Sequence, residues 1–191
     1  MVVFARVGEC YRHACNPAPG RVMKKAQSHD PYDMLGLDRQ LCFPLYAASN
    51  LLGRVYRPLL EPLGLTYSQY LVMLILWEEG PIHVGALAQR LHIDSATMTP
   101  ILKRMQDQGL LTRNRDRSDQ RHVIVRLTSR GQSLKDQAKE IPQALSDQIG
   151  DRLGHDVVEG LRTSVRKLVA LLSEDLNTPI GVALPIPTPL K

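Results

Sequence analysis

The sequence predicts a mainly helical protein that carries one small β-hairpin. Aromatic residues make up only 5% of the 191 residues and leucine is abundant, which favours helices over sheets. Apolar residues recur at steps of three and four along several segments, the spacing of amphipathic helices. One stretch instead alternates apolar and polar residues on both sides of a polar connection, as a hairpin does. The length fits a single cored domain.

The two ends of the chain are predicted to lie outside this domain. Residues 1–33 combine proline, glycine and scattered charge without a sustained apolar period, so we expect a flexible N-terminal extension. Met23 and Met34 within or beside it are alternative start sites. Residues 177–191 contain four prolines, too many for a helix or an inner strand, and are expected to form a disordered tail. The domain is therefore expected over residues 34–176.

The first helix is predicted between about Asp38 and Leu60, where the apolar residues follow helical spacing. Pro44 lacks an amide proton and is tolerated mainly in a first turn, so regular helix is expected to begin near Cys42 to Pro44. This placement puts Cys42 at a helix N-terminus, where the helix dipole favours the thiolate. An isolated free cysteine is, however, more often an inert, small apolar side chain.

The middle of the chain predicts three more helices. Ser68–Glu79 is a nearly continuous apolar run that ends at a Gly-Pro pair, which indicates a buried core helix. A short amphipathic helix follows over Val84–Leu91. The next helix, Ser95–Gln108, follows a good N-cap residue, Asp94, and Gly109 supplies the left-handed position after its end.

The outer face of the Ser95–Gln108 helix is polar and basic. Two short helices joined by a tight turn, with such a face on the second, are typical of a helix-turn-helix that binds DNA. Side chains near the N-terminus of the second helix read base edges in the major groove, and cations along it hold phosphates. The helix residues assigned to DNA contact are Ser95, Thr97, Thr99, Pro100, Lys103 and Arg104.

A basic hairpin follows this helix directly. Its strands are predicted over Leu110–Asn114 and His122–Thr128, with a polar connection between them. The segment from Arg90 to Arg126 holds eight Lys or Arg residues against four Asp, a net charge of +4, and so contributes most of the chain's excess of +5. A charge run by itself is usually solvated surface, but a basic hairpin after a helix-turn-helix favours a DNA-binding wing.

The wing is expected to insert an arginine into the minor groove. We assign Arg121 to this insertion and Asp119 to holding the turn, with Arg117 as a further DNA contact. The fold class predicted by these elements is a winged helix-turn-helix, with residues 62–128 as its DNA-binding lobe.

Two helices are predicted after the wing. Thr128 or Ser129 can cap a long helix, because Ser129 stands at capping-box spacing from the glutamine three residues on. A last helix is expected from about Asp156 to Leu176. Gly150 and Gly154 are expected to mark the break between the two.

Several site classes are not predicted. Cys10, Cys15 and Cys42 do not form an even disulfide framework and no signal-peptide core is evident, so a cytoplasmic protein is expected. No run of about 18 apolar residues is present, which argues against a membrane span. The histidines lack ligand spacing, and no phosphate-binding loop occurs, so neither a metal nor a cofactor is expected.

Four segments also carry a family likeness. They are Leu41–Ser49, Leu65–Leu71, Asp94–Met105 and Asp119–Thr128. Together they resemble the MarR-family repressors that respond to organic hydroperoxides, and the likeness extends from about Leu37 to Leu176. The early Leu-Cys-Phe stretch, Tyr56 and Tyr67 point to the peroxide-sensing branch.

The resemblance implies a homodimer with a reactive cysteine between its DNA-binding lobes. The N-terminal and C-terminal helices, residues 36–61 and 129–176, would form the dimer interface. The implied partner is double-stranded DNA with an inverted-repeat operator, and the implied inducer is an organic hydroperoxide.

Three tyrosines are candidates to donate hydrogen bonds to the Cys42 sulfur and so stabilise its thiolate. Tyr46 lies one helical turn from Cys42, whereas Tyr56 lies fourteen residues away, about 21 Å along a helix at 1.5 Å per residue. Tyr56 therefore cannot reach Cys42 within one helix. The resemblance implies that Tyr56 and Tyr67 come from the second subunit. Packing in the core or interface is the alternative role for all three.

The predicted function is a DNA-binding repressor that releases its operator when a hydroperoxide oxidises Cys42 to sulfenic acid. Because no cysteine follows Cys42, we expect a mixed disulfide with a small thiol or further oxidation, with Cys10 and Cys15 as alternative resolving thiols. A repressor released by a small phenolic ligand held between the lobes is a second hypothesis. A thiol peroxidase is a third, but the chain offers no CxxC or dedicated resolving partner, so an enzyme is not predicted.

Overall fold

The computed structural model describes residues 32–116 and 119–175. The predicted tail and nearly all of the predicted N-terminal extension, including Cys10 and Cys15, lie outside this description. The described residues are mainly helical with a small antiparallel sheet, as the sequence predicted. In chain order the elements are α1 (Cys42–Leu60), α2 (Tyr67–Glu79), β1 (Ile82–His83), α3 (Val84–Arg90), α4 (Ser95–Asp107), β2 (Leu111–Arg115), β3 (Val123–Leu127), α5 (Ser129–Ala138), α6 (Ile141–Leu153) and α7 (His155–Asp175).

The described residues divide into two compact units between Asn50 and Leu51, so the boundary falls within α1. In the first unit, short 3-10 turns precede α1. Helix α1 begins at Cys42 and has Pro44 in its first turn, where a missing amide hydrogen removes no helical hydrogen bond. The predicted start of the regular helix is therefore confirmed.

Helix α2 forms the core of the second unit. Thr66 caps its start in a capping box, in which Thr66 Oγ1 accepts a hydrogen bond from Gln69 N and Gln69 Oε1 accepts one from Thr66 N. The sequence analysis missed this box. The buried apolar side chains of α2 are Tyr70, Val72, Met73, Ile75 and Leu76. The buried side chains of α4 and the sheet in the same core are Met98, Leu102, Met105, Leu111 and Val125.

In the described ranges no single helix is long and apolar enough to span a membrane. One bent pair of helices would be long and apolar enough only if its two members are counted together. The pair consists of α1, with the short 3-10 turn after it, and α2. Helix α2 supplies half of the core side chains just described.

The sheet has the strand order β1-β3-β2 and is antiparallel throughout. Strands β2 and β3 form the predicted hairpin, with Leu111 opposite Leu127 and Arg115 opposite Val123. Strand β1 pairs with the other edge of β3, with Ile82 opposite Val125. The sequence analysis did not predict β1, because two residues are too few to show alternation.

The helices after the wing differ from the prediction. Thr128, not Ser129, is the N-cap of α5, and its hydroxyl accepts a hydrogen bond from the Gly131 N–H. The predicted long helix is interrupted after Ala138, because Pro142 in the first turn of α6 cannot donate a helical hydrogen bond backwards. Helix α6 then continues through Gly150 and ends before Gly154, whose φ of +90° lies in the left-handed region.

Gly131 is where α5 passes against the start of the hairpin. A Cβ atom on Gly131 would overlap the carbonyl oxygen of Leu110 and lie 3.1 Å from Leu127 Cδ2. The Gly131 carbonyl also accepts a hydrogen bond from Trp77 Nε1 at 3.1 Å, which ties α5 to α2. The site therefore requires glycine for close approach and not for an unusual φ.

We expect Gly131→Ala to lower the free energy of unfolding by about 1–3 kcal/mol, because the backbone must shift to admit the methyl group. Urea denaturation at fixed protein concentration measures the change. The control is Gly160→Ala on α7, where no atom lies within 4 Å of the added Cβ. The control should gain about 0.5–1 kcal/mol from the better helix former. Equal urea midpoints for Gly131→Ala and the wild type would show that the close approach does not exist.

Candidate functional site

Helix α4 presents a polar face from a well-capped start. Asp94 Oδ1 accepts a hydrogen bond from Thr97 N, and this bond holds the pKa of the Asp94 carboxyl below its usual range. The Thr99 hydroxyl donates to Ser95 O at 2.7 Å. Because the apolar side of α4 is fixed in the core, its polar side faces outward. The exposed residues of this side include Ser95, Thr97, Thr99, Pro100, Lys103 and Arg104.

Helix α3 and helix α4 form the predicted helix-turn-helix. His92 lies in the turn with a φ of +52°, a left-handed conformation that lets the chain reverse within a few residues. Ile93 N donates to Ala88 O at 3.1 Å and closes this turn. On the other side of α4, Arg113 Nε of β2 donates to Gln106 Oε1 at 2.6 Å. The recognition helix is thereby connected to both the preceding helix and the wing.

The described part of the wing connection is closed by backbone hydrogen bonds. Asp116 N donates to His122 O at 2.9 Å, and His122 N donates to Asp119 O at 3.0 Å. Asp119 Oδ1 accepts from Arg121 N at 3.0 Å, which fixes the backbone at Arg121 while its side chain stays exposed. Arg117 lies outside the described residues.

Two histidines pack at the base of the wing. The rings of His83 and His122 meet edge to face with centroids 5.2 Å apart. His83 Nε2 lies 3.7 Å from Asp116 Oδ2, and His122 Nε2 lies 3.6 Å from Asp119 Oδ2. From the sequence, His83 and His122 were assessed only as possible metal ligands, and this cluster was not predicted. Within residues 32–116 and 119–175, no group of three or more His, Cys, Asp or Glu side chains is placed to hold a metal ion.

Cys42 is the first residue of α1, and its side chain is exposed. Tyr46 follows one turn later and is 68% exposed. A thiol in this position is open to a small oxidant and lies at the positive end of the helix dipole. Both residues belong to the unit formed by residues 1–50.

An aromatic cluster occupies the start of the second unit. The rings of Tyr56 on α1 and Tyr67 on α2 have centroids 4.8 Å apart. Tyr56 also lies 5.7 Å from the ring of Tyr70, which in turn meets Trp77 edge to face at 6.4 Å. The structure therefore brings together Tyr56 and Tyr67, two of the three predicted tyrosines. Tyr70 also belongs to this cluster, although the sequence predicted only that it lies in a buried core helix.

Burial keeps the hydroxyls of this cluster protonated. Burial raises the pKa of Tyr67. The pKa of Tyr56 is raised mainly by burial and, to a smaller extent, by the negative charge of an ionised Tyr67. The pKa of Tyr70 rises to about 12, chiefly through burial and then through Tyr56 and Tyr67. Neutral tyrosines keep their O–H groups, so the cluster can donate hydrogen bonds to an anion.

A groove of about 390 Å³ lies beside Tyr70 and Trp77. Its rim carries Lys135 and Lys139 of the segment that follows the wing. The Tyr70 hydroxyl is buried and has no hydrogen-bond partner among the described residues. Glu78 also lines the groove, so its walls combine apolar and aromatic side chains with two lysines and one carboxylate.

Comparisons with known proteins identify the family of this fold. The MarR family matches residues 65–123. Over 125 residues the chain is 46% identical to an organic hydroperoxide resistance transcriptional regulator of Bacillus subtilis (strain 168), a match that covers 64% of this chain and 85% of the relative.

Solved structures give the same result. The structure of reduced AbfR bound to DNA has a TM-score of 0.56 at 37% identity, and the match covers 70% of this chain and 96% of AbfR. The structure of NadR in complex with 4-hydroxyphenylacetate has a TM-score of 0.61 at 25% identity, covering 71% and 98%. The chain belongs to the MarR family and is a DNA-binding transcriptional regulator.

Proposed function

We propose that this regulator is a homodimeric repressor that releases an inverted-repeat operator when an organic hydroperoxide oxidises Cys42. The observation that carries the proposal is an exposed cysteine at the first residue of α1 in a chain 46% identical to a hydroperoxide resistance regulator. The aromatic cluster supports it, because the rings of two neutral tyrosines lie close together on α1 and α2.

The DNA contact is assigned to α4 and the wing. The exposed Ser95, Thr97 and Thr99 lie in the first turns of α4, where a recognition helix reads base edges. Lys103 and Arg104 follow on the same helix and are assigned to phosphates or guanine. Arg121 is assigned to the minor groove, since its backbone is fixed by Asp119 and its side chain is exposed. The proposal extends to Pro100 and Arg117 as further contacts.

We expect Arg121→Ala to weaken operator binding by about 1–3 kcal/mol, because a cation between phosphates of a narrow minor groove is lost. Fluorescence anisotropy with a labelled operator at fixed salt measures the affinity. The matched control is Arg166→Ala on α7, which removes the same charge from an exposed arginine far along the chain. Equal losses in the two variants would indicate a general charge effect and contradict the assignment of Arg121.

A second copy of the chain is proposed to cover the apolar faces of α1 and α7. None of the described side chains of α7 is buried within one chain. The exposed apolar residues of the two helices are Leu52, Val157, Leu161, Val169, Leu171 and Leu172. Five of these six lie on α7, and apolar side chains repeated along one helix are more typical of an interface than of free surface. A twofold dimer also matches an inverted-repeat operator.

The proposed redox step balances as a two-electron oxidation of sulfur. The Cys42 thiolate attacks one peroxide oxygen, the O–O bond breaks, and an S–O bond forms. The other oxygen leaves as an alkoxide and takes a proton to become an alcohol. The resulting sulfenic acid condenses with a small thiol, which forms an S–S bond and releases water. No cysteine follows Cys42, and Cys10 and Cys15 remain alternative thiols.

Tyrosine hydroxyls are proposed to hold the thiolate before this step. Tyr46 lies one turn from Cys42 on the same helix, whereas Tyr56 would lie about 21 Å from Cys42 along an ideal helix. We therefore propose that Tyr56 and Tyr67 act on Cys42 of the second subunit. Oxidation removes the anion that these hydroxyls bind, and the added thiol must displace the cluster.

We expect cumene hydroperoxide to weaken operator binding of the wild type by about 5- to 150-fold, the usual range of coupling between two sites. Cys42→Ser should bind the operator like the reduced wild type and keep it after peroxide. Anisotropy gives both affinities, and mass spectrometry identifies the bound thiol on Cys42. Release of DNA by peroxide-treated Cys42→Ser would contradict redox sensing. A wild type that binds no inverted-repeat promoter would contradict the repressor itself.

A second candidate function is release by a phenolic ligand. It is favoured by the groove beside Tyr70 and Trp77 and by the similarity to NadR, whose structure contains 4-hydroxyphenylacetate. Addition of 4-hydroxyphenylacetate to Cys42→Ser tests this candidate, and loss of operator binding would support it. Peroxide sensing could not cause that loss, because the variant lacks the Cys42 thiol. A thiol peroxidase would instead turn over many peroxides per subunit. A cytoplasmic location is part of the main proposal, since the sensor needs a reduced thiol.

A further inference from the structure

Gln69 is buried, with 4% of its surface exposed, and apart from Tyr70 with its hydroxyl no other polar or charged side chain among the described residues is buried. It lies in the first turn of α2, two residues after Tyr67. A buried amide is costly unless its donors and acceptors are paired. The bonds that Gln69 makes are therefore a strong constraint on the elements around it.

Gln69 connects the start of α2 to the end of the recognition helix. Its Oε1 accepts from Thr66 N at 2.9 Å, and its Nε2 donates to Gln108 Oε1 at 3.2 Å. Gln108 is the C-cap residue of α4. Its own Nε2 approaches Gly64 O at 3.5 Å, in the loop that joins α1 to α2. Two side-chain amides thus join residues 64–69 to the end of α4, 39 residues after Gln69 in sequence.

The positions of these contacts place the bridge between the two functional parts of the second unit. Tyr67 lies inside the Thr66–Gln69 capping box, and its ring packs on Tyr56. At the other end, the Gln108 backbone N–H donates to Arg104 O at 2.9 Å in the last turn of α4. A displacement of the Tyr67 turn therefore strains or breaks the partly buried Gln69–Gln108 hydrogen bond unless the end of α4 moves with it.

We infer that the Gln69–Gln108 bridge transmits displacement of the tyrosine pair to the recognition helix, so both glutamines are positioning residues for operator release. This inference rests on the proposed function, because it gives a route for a signal that begins at Cys42. Neither side chain contacts DNA or the oxidised sulfur in this role. The alternative is that the bridge only stabilises the fold.

The experiment compares operator affinity before and after cumene hydroperoxide in full-length variants. Gln108→Leu removes the bridge from α4, and the double variant with Gln69→Leu removes both amides so that the buried Gln69 amide is not left without its partner. Gln108→Glu keeps an acceptor for Gln69 Nε2 and serves as the conservative rescue. Asp107→Asn changes an exposed neighbour on the same helix end and is the matched control.

We expect Gln108→Leu and the double variant to bind the operator when reduced, and to form sulfenic acid at the wild-type rate. Their loss of affinity on oxidation should be smaller than that of the wild type by about 2- to 30-fold, the range found for residues that couple two sites. Gln108→Glu should recover most of the loss, and Asp107→Asn should show all of it. An unchanged loss in the folded double variant would overturn the inference and leave a structural role.

A test without peroxide separates this inference from the proposed function. Tyr67→Leu disturbs the tyrosine pair directly. In the otherwise wild-type protein we expect it to change the operator affinity of the reduced form. In a protein that already carries Gln108→Leu, we expect the same substitution to leave that affinity unchanged. Equal changes in both backgrounds would overturn the bridge. A wild type that ignores peroxide while this dependence on Gln108 holds would contradict peroxide sensing alone.

Discussion

The burial of helix α2 is the constraint on which the rest of the structure depends. Apolar residues surround most of its circumference, so other elements must cover it on several sides. The recognition helix covers one side through Met98, Leu102 and Met105, and α5 is attached by the Trp77–Gly131 hydrogen bond. Tyr56 packs on its first turns. The DNA-reading helix and the proposed sensor tyrosines are thus positioned by one buried element.

The features that local chemistry determines were predictable from the sequence. Asp94 as an N-cap, Pro44 in a first turn and the hairpin pattern all depend on neighbouring residues. Contacts between distant residues were not predictable in the same way. The Gln69–Gln108 pair spans 39 residues, and strand β1 exists only because β3 offers it an edge. The interruption before α6 was not predicted, although Pro142 in the first turn of α6 signals it.

Charge and burial divide the proposed work between regions of the chain. The exposed basic residues of α4 and the wing are proposed to provide the affinity for DNA, which would then fall with rising salt. Tyr56 and Tyr67 are instead partly buried, and burial raises their pKa further, so both stay neutral and able to donate hydrogen bonds. A thiolate is the kind of anion that such donors favour. Its conversion to a neutral sulfenic acid or a bulky disulfide changes both the charge and the volume at the cluster.

The most direct test of a sensor shared between subunits is the oxidation rate of Cys42 in mixed dimers. One dimer pairs a Cys42→Ser subunit with a Tyr56→Phe/Tyr67→Phe subunit. Its single Cys42 lies in the subunit without the two tyrosines, so this cysteine faces intact tyrosines only if they come from the other subunit. The other pairs a wild-type subunit with one carrying all three substitutions. The account predicts sulfenic acid formation at the wild-type rate in the first dimer and slower formation at the wild-type subunit's Cys42 in the second. The reverse result would contradict it, since each Cys42 would then depend on its own chain's tyrosines.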